Sequence, residues 1–204
     1  GGGSLCGRAT LPLFGKHNAR NTVAALAMAS EAGGAPLDRL IASLPRFRGT
    51  KRRQELVGVA NGIEVYDDFA HHPTAVRETL GGFRERIKGR LIAVFEPRSA
   101  TASRALHQEV YPDAFAPADI TILAPVGRGE VAESERLDTA AIADAIRQTG
   151  AEALACTSVD EAIEEAIRHA TPGDTIVVMS NGRFQDAPDR ILLGTGYTPR
   201  RRTG

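Results

Sequence analysis

The sequence predicts an α/β fold, a mainly parallel sheet flanked by helices and preceded by a helical hairpin. Three observations predict it. Short apolar runs alternate with helix-length segments from about residue 50 onward, the pattern of a parallel sheet. The residues before that point contain two helical patterns and no strand pattern. The composition, 42% hydrophobic and 25% charged over 204 residues, is that of a globular protein.

Composition also excludes several classes of function. Lys+Arg and Asp+Glu both number 25, so no net field attracts nucleic acid or an anionic membrane, and we predict neither as a partner. Cys6 and Cys156 lie far apart without metal-binding spacing, which predicts two inert side chains in a reducing compartment. No apolar run reaches the roughly 18 residues of a membrane span and no signal sequence is present, so we expect a cytoplasmic protein.

Two helices come first. Residues 18–32 are rich in Ala and end at Gly33-Gly34, a typical helix end, and residues 36–44 begin with a proline in the first turn. Pro45 ends the second pattern. A polar, basic connector follows, and we predict a domain boundary near Gly49.

Strands follow this boundary. Asn61-Gly62 is a strong hairpin-turn signal between extended runs at residues 55–59 and 63–66. Later apolar runs are separated by helix-length segments, as the crossovers between parallel strands require. The four further predicted strands are residues 91–95, 120–123, 153–156 and 175–179.

Amphipathic segments predict the intervening helices. Residues 73–87, beginning with Pro73, place four apolar side chains on one face, and residues 139–148 place two. Ser158 and Glu161 form a capping box before a further helix. We interpret these apolar faces as core rather than as cofactor sites. Their side chains are Val76, Leu80, Phe83, Ile87, Ile142 and Ile146.

Polar clusters follow four of the predicted strands. In open parallel sheets, ligands bind beyond the carboxyl ends of the strands, so these clusters are candidate binding segments. They are residues 67–74 (DDFAHHPT), 96–99 (EPRS), 125–129 (PVGRG) and 180–183 (SNGR).

The strongest of these signals is DDFAHHPT. Two carboxylates and two imidazoles within six residues can bind a ribose or a cation and can exchange protons with a substrate. Contact with a nucleotide or substrate is one interpretation, and helix capping with packing is another. A metal site is a third, but the adjacent His71 and His72 point apart on a helix start, so further ligands would have to come from elsewhere.

Other polar residues are candidates for anion or purine binding. Asn18 and Asn21 stand one turn apart after Gly15-Lys16-His17, and capping by Asn18 explains only the first of them. His17 stands where a phosphate loop has Ser or Thr, and no Gly precedes at the required spacing, so the chain has no Walker motif. Arg53 and Arg98 lie at the mouth of the predicted sheet, where a guanidinium can clamp phosphate or carboxylate.

The order and separation of five segments resemble the Mur ligase family of ATP-dependent amide-forming enzymes. The segments are GKHNARN, FRGTKRRQE, YDDFAHHPT, FEPRS and VVMSNGRF, and the resemblance runs from about residue 11 to residue 184. DDFAHHPT resembles the branch that extends UDP-N-acetylmuramate, and EPRS with MSNG is similar to its murein-tripeptide recycling members. Those members continue SNGxF with glycines, whereas Gln185-Asp186 follow Phe184 here.

The resemblance implies a Rossmann-like C-terminal domain preceded by a helical remnant of the central ATPase domain. It assigns residues 1–4 to a linker or fusion scar, 5–48 to the last helices of the central domain, 49–190 to the C-terminal domain and 191–204 to a tail. The family's UDP-sugar domain and phosphate loop have no counterpart in this sequence. We therefore interpret the chain as a fragment and expect it to be inactive alone.

Roles for individual residues follow from the same resemblance. His17, Asn18 and Asn21 would lie near the adenine of ATP. Arg53 and Asp68 would bind the ATP phosphate and ribose and act as catalytic residues. No residue is assigned to a metal. The set that would face the incoming amine substrate is His71, His72, Arg98, Ser180 and Asn181.

The implied reaction joins UDP-N-acetylmuramate to the murein tripeptide L-Ala-γ-D-Glu-meso-diaminopimelate. ATP with Mg²⁺, bound mostly by the missing part of the central domain, would form an acyl phosphate that the tripeptide amine attacks. The C-terminal domain would contribute orientation and charge neutralisation. Two alternatives stay open, a UDP-N-acetylmuramate–L-alanine ligase and a non-catalytic nucleotide- or peptide-binding module.

Overall fold

The computed structural model describes residues 7–127 and 131–198. Cys6, the linker at residues 1–4, the basic run at 200–202 and all but Gly127 of the sequence Gly127-Arg128-Gly129 therefore lie outside the described residues.

A six-stranded sheet forms the centre of the described chain. Its strands are Glu55–Ala60 (β1), Ile63–Asp68 (β2), Leu91–Phe95 (β3), Ile120–Leu123 (β4), Glu152–Ala155 (β5) and Thr175–Met179 (β6). Their order is β1-β2-β6-β3-β4-β5. The β1–β2 hairpin is antiparallel and the other pairings are parallel. The predicted α/β class is confirmed, with three parallel strands at their predicted bounds.

Helices cover both faces of the sheet. They are Pro73–Arg84 (α3), Tyr111–Phe115 (α4), Thr139–Gln148 (α5), Val159–His169 (α6) and Ala187–Gly194 (α7), after Lys16–Glu31 (α1) and Leu37–Ser43 (α2). Alternate side chains of β3 point to opposite sides: Leu91 and Phe95 pack with α3, α4 and α5, whereas Ile92 and Val94 pack with α6 and α7. Central strands buried on both faces are nearly uniformly apolar, and this pattern allows them to be predicted from the sequence.

Side-chain caps mark the residues at which α3 and α6 begin. His72 caps α3, its ring nitrogen accepting from Thr74 N at 3.3 Å, and Pro73 occupies the first turn. Ser158 Oγ accepts from Glu161 N at 3.0 Å, as the capping box predicts. The Glu161 carboxylate instead accepts from Thr157, one residue before the cap, so the second bond of the box is displaced by one residue.

The predicted helical hairpin is confirmed as α1 and α2. Gly15, at φ 88°, precedes α1, which therefore begins two residues before the predicted start. Phe14 ties this region to the sheet domain, with its ring 4.8 Å from that of Phe83 and 6.0 Å from that of Tyr66. No residue of α1 is buried.

The C-terminal helix α7 crosses the predicted boundary between the domain, which ends at residue 190, and the tail, which starts at residue 191. Ile191 and Leu192 are buried, and Leu192 packs so closely on Gly58 of β1 that a Cβ at Gly58 would lie 2.6 Å from it. Packing thus continues to the end of α7. None of the helices in the described ranges is long and apolar enough to span a membrane.

Cys156 is expected to resist alkylation in the folded chain. Burial, with Glu161 and Glu165 nearby, raises the pKa of its thiol to about 11, and only the thiolate reacts. In a Cys6→Ser variant at pH 8, labelling by iodoacetamide should be about a hundredfold slower than in urea. Equal rates in the two conditions would show that Cys156 is accessible.

Candidate functional site

A cavity of about 660 Å³ lies between α1, the segment around residues 50–54, the end of β2 and the middle of α3 at Thr79. Its walls combine apolar side chains, including Leu13, Leu26 and Phe47, with amide and charged groups. Five of the ten residues predicted to form a site line it: His17, Asn18, Asn21, Arg53 and Asp68.

Asp68 ends β2 and is buried, with 3% of its surface exposed. Its Oδ1 accepts from Ala70 N at 2.8 Å and from Thr79 Oγ1 at 3.4 Å, and its Oδ2 accepts from Gln54 N at 2.8 Å. Burial raises the pKa of Asp68, while these hydrogen bonds and the Arg53 charge act against the rise. The carboxylate is therefore held rigidly at the cavity wall.

Arg53 reaches the cavity beside the ring of Phe69. Its guanidinium carbon lies 5.2 Å from the ring centroid, within cation–π range, and that of Arg52 lies 5.5 Å from the same ring. Stacking on an aromatic ring restricts a flexible side chain, so Phe69 holds the Arg53 charge in place.

Each of the doublets Arg52-Arg53 and Asp67-Asp68 is divided between two sides of the structure. Arg53 and Asp68 line the cavity, whereas Arg52 and Asp67 line a separate groove of about 500 Å³. In that groove Arg52 Nε lies 3.0 Å from Asp67 Oδ2, and Arg52 Nη2 donates to Ser180 O at 2.6 Å. Asp67 and Asp68 are successive residues of β2 and therefore point to opposite faces, so only Asp68 can serve the cavity. The arginines precede β1, and the backbone at Arg52, with φ 56°, turns the two side chains apart.

The polar residues of α1 face the cavity. Asn18 Nδ2 donates back to Phe14 O at 2.8 Å, so the capping interpretation of Asn18 is wrong: the cap is Gly15, and Asn18 lies inside the first turn. His17 Nδ1 is buried, lies 3.7 Å from a Glu78 carboxylate oxygen and has no hydrogen-bond partner among the described residues.

Gln54 is a cavity residue that the sequence did not reveal. Its Oε1 accepts from Phe14 N at 2.6 Å and its Nε2 donates to Phe14 O at 3.1 Å. Oε1 also lies 3.3 Å from Asn18 Nδ2, and the backbone N holds Asp68. Gln54 thus joins the helical region to the end of β2, with its backbone at φ 51°.

The other five predicted site residues do not line the cavity. They follow β2, β6 and β3, three adjacent parallel strands, at the carboxyl edge of the sheet. Ser180 Oγ donates to Glu96 Oε2 at 2.6 Å, and Arg98 Nη1 donates to Glu96 Oε1 at 3.4 Å. Asn181 Oδ1 is buried and finds no donor in the described part of the chain.

The two histidines of DDFAHHPT have different partners, as their predicted divergence requires. His71 Nδ1 lies 2.9 Å from Phe69 O; since a carbonyl only accepts, Nδ1 is the donor, and in the neutral ring Nε2 is then an acceptor. His72 caps α3, which confirms the capping interpretation for this residue, and its ring lies 4.7 Å from that of His107. Within residues 7–127 and 131–198, no three His, Cys, Asp or Glu side chains are grouped as metal ligands.

The turn after Ser180 carries backbone strain. Phe184, Gln185 and Asp186 have φ values of 48°, 49° and 55°, the left-handed region that favours glycine. Gln185→Gly should therefore raise the free energy of unfolding by roughly 0.5–1 kcal/mol. Glu164→Gly, at an exposed position in the middle of helix α6, should lower it by a similar amount, and urea unfolding of both variants checks the contrast. Destabilisation by both would show that Gln185 is unstrained.

A comparison with protein families identifies the chain. The model described as "Mur ligase, glutamate ligase domain" matches residues 52–182. The chain belongs to the Mur ligase family.

Among curated proteins, this Mur ligase chain is similar to two kinds of relative. It is 38% identical over 196 residues to the UDP-N-acetylmuramate–L-alanyl-gamma-D-glutamyl-meso-2,6-diaminoheptandioate ligase of Escherichia coli (strain K12), covering 94% of the chain and 40% of that ligase. It is 34% identical over 175 residues to the UDP-N-acetylmuramate–L-alanine ligase of Agrobacterium fabrum, covering 85% and 37%. The chain spans about 40% of the length of these relatives.

Two similar solved structures are of the same two kinds of ligase. A murein peptide ligase from Psychrobacter arcticus 273-4 has a TM-score of 0.67 and 35% identity, covering 94% of this Mur ligase chain and 39% of that chain. The UDP-N-acetylmuramate-alanine ligase of Thermotoga maritima has a TM-score of 0.72 over 91% and 39%, but at 21% identity it supports the fold alone.

Proposed function

We propose that this chain is the C-terminal portion of an ATP-dependent ligase that joins UDP-N-acetylmuramate to the tripeptide L-Ala-γ-D-Glu-meso-diaminopimelate in peptidoglycan recycling. The observation that carries the proposal is the single cavity that collects His17, Asn18, Asn21, Arg53 and Asp68. The similarity to ligases of this branch supports it.

The chemistry of the cavity fits a nucleotide. Apolar side chains suit a flat base, the amides of Asn18 and Asn21 suit its polar edge, and the His17 ring lines the same cavity. Asp68 can accept from ribose hydroxyls, and Arg53 can bind phosphate. ATP would supply the phosphoryl group that activates the muramoyl carboxylate. We propose that Mg²⁺ is held mainly by the phosphates and by parts of the ligase outside this chain.

The proposed domain assignment places residues 5–48 in the central domain and 49–190 in the C-terminal domain. The exposure of α1 supports it, because Val23 and Met28 are 66% and 71% exposed on a helix with no buried residue. Large apolar side chains exposed on a helix that buries no residue are available to pack against further protein of the central domain.

The amine substrate would meet the second set of residues: His71, His72, Arg98, Ser180 and Asn181. The guanidinium of Arg98 and the hydroxyl and amide of the 180–182 turn suit a carboxylate. The acceptor Nε2 of His71 can take a proton from an amine. The L-alanine ligases among the relatives, at 33–34% identity, make L-alanine the second candidate substrate.

Amine competition in the complete ligase containing this chain tests the proposal. With ATP and UDP-N-acetylmuramate, phosphate release should be faster with the tripeptide than with L-alanine at equal concentrations. Preference for L-alanine would establish the second candidate. Nucleotide binding without phosphate release for either amine would indicate a binding module. The 204-residue chain alone should release no phosphate, and turnover matching the complete ligase would contradict this expectation.

A further inference from the structure

A buried carboxylate lies behind the proposed amine-substrate residues. Glu96 directly follows β3, and its side chain is 2% exposed. Burying a carboxylate costs free energy unless partners compensate it. The partners of Glu96 therefore indicate what this residue does.

Glu96 connects two strand ends through its two oxygens. Oε2 accepts from Ser180 Oγ at 2.6 Å, and Oε1 accepts from Arg98 Nη1 at 3.4 Å. Ser180 Oγ in turn accepts from Gly182 N at 2.9 Å, which fixes the turn after β6. One carboxylate thus holds the hydroxyl of one proposed substrate residue and the guanidinium of another.

Close backbone packing confines this arrangement. A Cβ on Gly127 would lie 2.6 Å from Glu96 Oε1, and a Cβ on Gly182 would lie 2.2 Å from Arg98 Cδ. Both side chains therefore lie directly against glycine backbone. The Arg98 side chain is nevertheless 46% exposed, and within residues 7–127 and 131–198 only one of its five N–H donors, on Nη1, has a partner.

We infer that Glu96 is a positioning residue, which holds Arg98 and Ser180 toward the carboxylate of the amine substrate without touching the substrate itself. The inference rests on the proposed function. Removing the Glu96 charge should release Arg98 and weaken binding of the amine substrate, with little effect on ATP, whose proposed cavity contains neither residue.

Kinetics of Glu96→Gln in the complete ligase test the inference. We expect KM for the amine substrate to rise about tenfold, while kcat and KM for ATP stay within about twofold. Asp174→Asn is the matched control, since Asp174 is 4% exposed and paired with Arg90 at 2.6 Å at the other end of β6. It should lower stability and leave KM unchanged.

A mutant cycle separates positioning from a general loss of structure. Because Glu96 acts through Arg98 and Ser180, adding E96Q to an R98A/S180A background should leave the amine KM unchanged. Additive effects, or an unchanged KM in E96Q, would overturn the inference. If E96Q does not fold, Ser180→Ala, which removes only the hydroxyl bound to Glu96, tests the inference: it should raise the amine KM by less than about tenfold, and an unchanged KM would overturn the inference.

Spectroscopy of the 204-residue chain tests the contact between Glu96 and Arg98 independently of the proposed function. The Arg98 Nε–H resonance in a ¹⁵N spectrum should move in E96Q and stay in place in Asp174→Asn. If the wild-type ligase joins no amine, the proposed function fails. An unmoved Arg98 resonance in E96Q would instead refute the contact with Glu96.

Discussion

Asp68→Asn should reduce ATP-dependent turnover of the complete ligase at least tenfold, through weaker nucleotide binding. The carboxylate presents acceptors on both oxygens, to Ala70 N and to Gln54 N. An amide keeps one acceptor and turns an NH₂ group toward the other donor, which leaves the Gln54 N–H unpaired. The substitution also removes the negatively charged carboxylate that we propose accepts hydrogen bonds from the ribose hydroxyls. Hydrogen bonds to a charged group contribute about 1.5–3 kcal/mol, enough for this loss.

Stability should change less than activity in this variant. The unpaired donor costs up to about 3 kcal/mol, but the amide also removes a charge whose burial is unfavourable. We expect the free energy of unfolding at pH 7 to fall by about 1 kcal/mol. The control is Asp67→Asn, the neighbouring carboxylate that pairs with Arg52 in the other groove and should leave ATP binding unchanged. Equal loss of ATP binding in both variants would contradict the assignment of Asp68 to the cavity and of Asp67 to the other groove.

The pH dependence of stability follows from the same burial. Because burial raises the pKa of Asp68, the folded chain binds its proton more tightly than the unfolded chain does. The contribution of Asp68 to stability therefore falls as pH rises from the ordinary value of 3.8 through the raised one. In Asp68→Asn this fall should be absent, and urea unfolding at a series of pH values measures it. An unchanged slope would show that the pKa of Asp68 is not raised in the folded chain.

Much of the fold was predictable because its signals are local. β3, β4 and β6 are apolar runs buried on both faces, and their bounds matched the prediction. Helix α4 has five residues, too few for a periodic pattern to emerge. Helix α7 begins at residues with positive φ and no glycine, so the usual turn signal is missing.

The candidate site was only partly predictable, since some of its contacts are distant in sequence. Strand-end position and motif pointed to Arg53 and Asp68. Gln54 could not be found in this way, because its side chain binds Phe14, 40 residues away. Strand alternation gives Asp67 and Asp68 opposite orientations, but the predicted strand ended at residue 66 and did not include them.

Arg53→Lys should lower kcat/KM for ATP in the complete ligase about a hundredfold, although it keeps the positive charge. The planar guanidinium stacks near Phe69, 5.2 Å from the ring centroid, and can donate two parallel hydrogen bonds to a phosphate. A lysine ammonium offers a single point of contact and loses the stacking geometry. Removing one preorganised donor from a site of charge development typically costs about 10²–10³ in rate.

Arg52→Lys is the matched control for this substitution. Arg52 approaches the same ring at 5.5 Å, but its guanidinium pairs with Asp67 and Ser180 O in the other groove. We expect this variant to unfold at a lower urea concentration and to keep its ATP dependence. Steady-state kinetics with ATP as the varied substrate compare the two. If both variants lose activity equally, the Phe69 ring and its two arginines act as one structural unit; if only Arg53→Lys does, the cavity-facing guanidinium acts on the nucleotide.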